Sequence, residues 1–207
     1  MLGLPQSTEV KRSLPKAQLY RQLDWKPVWR DAFDAEVSHL DFVNWIAPKT
    51  MPAMAAGNDV KEIFVVEVAL KQPTISNDNL LRLVKSIPQH IVWAMTFEEK
   101  VQLAVWHSHL FTSERIDVTE ASLPLNGLDL DAAWQNIICT LGEFVVESDK
   151  SLNEQIKVNE EQAKLQAQID RLDRQMRAER QPRRKNEPPV LFCRMIVLPR
   201  CFSASVN

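Results

Sequence analysis

Val60 to Lys71 reads VKEIFVVEVALK, a run rich in β-branched residues with one carboxylate, Glu67, in its middle. Side chains on a strand alternate between faces. Phe64, Val66, Val68 and Leu70 therefore line one side, and Ile63, Val65, Glu67, Ala69 and Lys71 the other. Both sides are mostly apolar, which is the pattern of a strand covered on two faces inside a helix-flanked sheet, not of an edge hairpin with one wet face. Each large apolar side chain buried here stabilises by roughly 1.5–3 kcal/mol. Glu67 is the exception, expected either to find a cation or to be neutralised by desolvation.

The segments on either side fill in an α+β fold. After an extended leader, Ser13 is expected to cap a short helix carrying Ala17, Leu19, Tyr20 and Leu23, with Pro15 in its first turn. A second short helix is expected over 28–35, then a strand centred on 40–46 that Pro48 ends. Gly57 and Asn58 turn the chain into the Val60 run, so antiparallel pairing of these two strands is the economical arrangement. Ser76 or Asn77 should cap the next helix, with Leu80, Leu81, Val84 and Ile87 as its apolar stripe and Pro88 as its stop. HIVWAMTF and VQLAVWHSHLF follow as two strands around EEK, a hairpin length. Residues 112–127 read as a loop. A closing amphipathic helix then puts Leu130, Trp134, Ile137, Ile138, Leu141 and Val145 on one face.

The expected architecture is a mixed, mostly antiparallel sheet flanked by helices with a long C-terminal helix, in three parts: residues 1–147, 148–185 and 186–207. A length of 207 residues accommodates one domain and an appendage. The net charge of -2 gives no global attraction to nucleic acid or membrane. The start has no apolar stretch of signal-peptide length, and about 18 apolar residues nowhere run together, so a cytoplasmic location and no membrane contact are expected. Cys139, Cys193 and Cys201 are an odd number without metal-ligand spacing, which suits a reducing compartment.

Composition changes after Glu147. SDKSLNEQIKVNEEQAKLQAQIDRLDRQMRAERQ has no glycine and no proline, and predicts one long helix. Val158, Leu165, Ile169, Leu172 and Met176 keep a 4-3 alternation, with polar Gln162 completing the register, so they form a narrow seam for another helix. Toward its end the arm turns basic. Arg171, Arg174, Arg177, Arg180, Arg183, Arg184 and Lys185, against only Asp173 and Glu179, carry a net charge of about +5, enough to contact phosphates. The last segment, from Asn186, does not continue the seam. It reads either as a tail that folds back or as the product of a reading frame lost near Asn186.

Few residues suggest catalysis. Asp41, Glu67 and Lys71 resemble the acidic-plus-lysine set of metal-dependent nucleases. A two-residue step from carboxylate to lysine spans about 6–7 Å, however, and the four-residue step here about 13 Å, which disfavours that geometry. His107 and His109 fall on one face of the expected strand, but no CxxC or HExxH completes a metal site. GxGxxG, Walker and GxSxG patterns are missing from a sequence with four glycines, which argues against nucleotide hydrolysis and serine-elbow hydrolases. Trp93, Trp106 and Trp134 lie on apolar stripes and are expected in the core. No metal or cofactor is expected.

VNWIAPKTM, VKEIFVVEVALK, SIPQHIVWAM and the basic helix RLDRQMRAERQPRRK together resemble a bacterial family, domain of unknown function four-three-nine-one, over about residues 10 to 185. The resemblance implies a small accessory component encoded beside Swi/Snf-type helicases and DNA methyltransferases in phage-defence or restriction-modification clusters. The family's basic helix continues as a charged coil, whereas Pro188-Pro189 interrupt it here. Two readings result. In the first, a non-catalytic interaction subunit binds a helicase-like or methyltransferase partner, or a second copy of itself, through its arm, which also contacts DNA. In the second, Asp41, Glu67 and Lys71 make a metal-dependent nuclease.

Overall fold

The computed structural model describes residues 2–146 and 151–178. The Val60 run becomes β3 (Ile63–Leu70), covered on both faces: Ile63 and Val65 are buried on one, Val66, Val68 and Leu70 on the other, while Phe64, Glu67 and Ala69 are half-buried. It lies inside a six-stranded sheet ordered β1 (Glu9–Ser13), β2 (Val37–Ile46), β3, β4 (Ile91–Phe97), β5 (Lys100–His107) and β6 (His109–Asp117). β3 and β4 pair in parallel and every other neighbour is antiparallel. A parallel pair needs a crossover. Here it is α3 (Asn77–Ser86), whose N-cap Ser76 accepts a hydrogen bond from the Asn79 amide.

One face of the sheet packs under α1 (Lys16–Gln22), α2 (Pro27–Glu36) and α3, where Leu19, Trp25, Phe33, Leu83, Val66 and Trp93 form one apolar cluster. Tyr20, Trp25 and Phe33 make edge and stacked ring contacts within it. The Tyr20 hydroxyl donates to Asp34 at 2.7 Å, and burial, then this carboxylate, pushes the phenol far above its ordinary range. Burial works to raise the Asp34 carboxyl, but hydrogen bonds from Lys16 and Tyr20 hold it low. On the opposite face α4 (Leu130–Gly142) covers β5 and β6 with Leu130, Trp134, Ile137 and Ile138.

Several expectations need correction. The leader is not merely extended: Glu9–Ser13 pairs with β2 as an edge strand, so Ser13 sits in a ladder opposite Asp41 and Pro15 takes the N-cap of α1. In α3 the buried stripe runs through Leu80, Leu83 and Val84, while Leu81 is half-buried. VQLAVWHSHLF is two strands, because Ser108 at φ 55° reverses the chain. Residues 112–117, read as loop, continue β6. α4 ends at Gly142, where Glu143 adopts the left-handed conformation, so Val145 lies beyond the helix and is 83% exposed. Trp93 and Trp134 are in the core, but Trp106 is only half-buried, under the Lys85 ammonium.

The chain divides into two units between Val145 and Val146. The second is described through α5 (Leu152–Ala178), a helix of 27 residues.

Candidate functional site

The arm forms because its residues are good helix formers without a breaker and because its start is capped. Ser151 Oγ accepts from the Glu154 amide, and the Glu154 carboxylate accepts from the Ser151 amide and hydroxyl. That reciprocal pair is the S-x-x-E capping box, a signal legible in SLNE and overlooked by the periodicity reading. Along the seam Leu165 is 46% exposed, and Val158, Ile169, Leu172 and Met176 are half-buried. Leucine exposed in register with further apolar residues is surface suited to a second helix. Arg171, Arg174 and Arg177, spaced three apart, follow one flank and are exposed. Arg177 pairs with Asp173 at 2.6 Å and Arg174 Nε donates to the Asp170 carbonyl, so two of the three are partly engaged within the helix. Arg180, Arg183, Arg184 and Lys185 lie outside the described residues, as do the 186–207 segment and the Pro188-Pro189 break.

The proposed acidic set is only partly assembled. Asp41 and Glu67 are directly opposite each other in the β2–β3 register. Glu67 pairs with no cation among the described residues, and Thr96 Oγ donates to its Oε1 at 2.9 Å. Asp41 lies 3.6 Å from His39 Nε2. Lys71, expected on the Glu67 face, follows the end of β3 and turns to α2, its amide donating to Glu36 O and its Nζ to Asp34 O. There its cation meets the carbonyl end of a helix, a favourable place for positive charge. Among the described residues no three His, Cys, Asp or Glu side chains converge as a metal site. Asp41 and Glu67 thus face each other while Lys71 is held away from them at α2.

His107 and His109 lie on two strands, not one, though as cross-strand partners they share a face of the sheet. They oppose each other across the Ser108 turn. His90, at the foot of β4, packs edge-on against Trp134 at 5.0 Å, and burial, then the proximity of His107, lowers its pKa. Nearby, Asp131 in the first turn of α4 accepts from the amides of Asn58, Asp59 and Val60. Those backbone donors, the Val60 amide foremost, hold its carboxyl below the ordinary range. Gly57 lets the loop approach that closely, since a Cβ there would meet the Asp131 carboxylate at 2.2 Å. Among the described residues, depressions open on the sheet. One of about 220 Å³ is lined by Glu9, Lys11, Val43, Asn44 and Glu67. Another, about 340 Å³, has aromatic walls from Phe42, Trp45 and Phe64.

The family described as Domain of unknown function (DUF4391) matches residues 2–189, most of the chain. The protein belongs to this family. Membership identifies the fold unit and its helical extension as one inherited sequence block but assigns no chemistry. No curated protein and no solved structure matches it. No helix among the described residues is long and apolar enough to cross a membrane.

Proposed function

We propose that this protein is a non-catalytic accessory subunit that binds a larger partner through α5. The supporting observation is the 27-residue helix whose 4-3 seam leaves Leu165 exposed in register with Ile169, Leu172 and Met176. The partner is a helicase-like protein or methyltransferase of a bacterial anti-phage defence or restriction-modification type system, acting in the cytoplasm. Arg171, Arg174 and Arg177, with Arg180, Arg183, Arg184 and Lys185 beyond them, add contacts to DNA phosphates. Affinity for DNA then falls with salt, its logarithmic slope about 0.9 per phosphate contacted.

Co-purification with the products of neighbouring genes tests this reading. Glutamate at both Leu165 and Leu172 should abolish assembly while leaving the circular dichroism of the sheet domain intact. Retained assembly would overturn it, and assembly with a second copy alone would reassign the seam to self-association.

The metal-dependent nuclease reading has one observation in its favour, the Asp41–Glu67 pairing in register. Two stand against it: Lys71 is engaged at α2, and no third ligand converges among the described residues. Divalent-metal-dependent cleavage lost on Glu67→Ala would restore that reading.

A further inference from the structure

The 340 Å³ depression lies where the helical layer on one sheet face stops. None of its lining residues comes from a helix, and Phe42, Phe64 and Trp45 are left half-buried. The neighbouring β2 and β3 residues toward α1–α3, such as Leu40, Val66 and Val68, are fully buried. Trp45 and Phe64 lie nearly parallel, 7° between planes and 6.5 Å between centroids, with Phe42 edge-on to Phe64 at 5.9 Å. Aromatic side chains held rigidly on paired strands and left open to solvent, in a concavity of this size, are the usual walls of a small-molecule site.

Two charged groups at the rim restrict what fits. Arg12, on edge strand β1 and in register with Phe42, is exposed and makes no hydrogen bond or ion pair among the described residues. Its planar fork is free for bidentate recognition of a carboxylate or phosphate. Glu62 is fixed: Trp45 Nε1 donates to its Oε2 at 2.9 Å, leaving the other oxygen able to accept from an N–H. Lys49 stands 5.9 Å from the Trp45 ring, so a second positive charge lies near the aromatic wall. A fixed carboxylate at one rim repels a second anion there, which orients any ligand with its negative end toward Arg12.

We propose that this pocket binds a small planar aromatic anion, its ring against Phe64 and Trp45 and its anionic group on Arg12. An amino group or ring N–H at the far end would donate to Glu62. Both an aromatic amino acid analogue with a carboxylate and a nucleoside monophosphate present this chemistry.

Titration calorimetry on the full chain distinguishes them. The probes are 4-aminobenzoate and adenosine 5′-monophosphate, with aniline and adenosine as their uncharged counterparts. At least one anion should bind about tenfold or more tightly than its neutral counterpart, the scale of a charge-assisted contact. Arg12→Gln should abolish that preference with unchanged circular dichroism, since no described contact depends on the guanidinium. Which probe responds assigns the source as carboxylate or phosphate. The site is disproved if neither anion binds at millimolar concentration, if the neutral counterparts bind equally well, or if Arg12→Gln keeps the preference.

Discussion

Asp131 joins two parts of the chain that sequence distance separates widely, because one carboxylate satisfies three consecutive loop amides. Asp131→Asn should lower the melting temperature at neutral pH by removing the charge that those N–H groups favour. The pH dependence has a definite sign. The folded-state pKa is depressed, so the stabilisation is present above the unfolded carboxylate value of about 3.8 and is lost as pH falls through the folded pKa. Melting curves of parent and variant should therefore converge in acid below that value. His90 behaves in the same sense at higher pH, since its lowered pKa means that the unfolded chain takes up the proton first. Stability should decline as pH drops below about 6.5, and His90→Gln should remove that part of the decline.

At the level of elements, the junction of α2 with α3 rests on Glu36. Its Oε2 accepts from the Ser76 amide and hydroxyl and from Asn79 Nδ2, and Asn79 is only 2% exposed. Glu36→Ala strands a buried amide donor and should cost about 1–3 kcal/mol in urea unfolding. The elements that could be recognised beforehand are those with an apolar alternation, a stripe or an uninterrupted run of helix formers of their own: α1, α2, β2, β3, α3, β4, β5, α4 and α5. β1 and the second part of β6 escaped because EVKRS and TSERID are edge segments of mostly polar, exposed or half-buried side chains that imitate a loop. The end of α4 was placed too late because EFVV continues the apolar composition, while the backbone reverses at Glu143. That Asp41 would fall opposite Glu67 did not follow from antiparallel pairing alone, because β2 carries two register shifts. The engagement of Lys71 with α2 was not legible either, since it depends on how a helix end meets a strand end. The Phe42, Trp45 and Phe64 pocket was equally hidden, because half-exposure of an apolar strand residue depends on where a separate helical layer stops.

For the molecule as a whole, the parallel β3–β4 ladder has the widest effect. It divides the sheet into two antiparallel ribbons of three strands, β1 to β3 and β4 to β6, each paired between consecutive strands. Every hydrogen-bonded ladder except the middle one can thus form from nearby chain, and the middle one waits for α3 to carry the polypeptide back across. A covalent break in the 71–76 connection should therefore be tolerated. Polypeptides 1–72 and 73–207 made together in one cell should assemble into a species with the parent's far-ultraviolet spectrum, and neither should do so when made by itself. Each ribbon has the other as its missing neighbour, so a gene split at that point would still encode one protein.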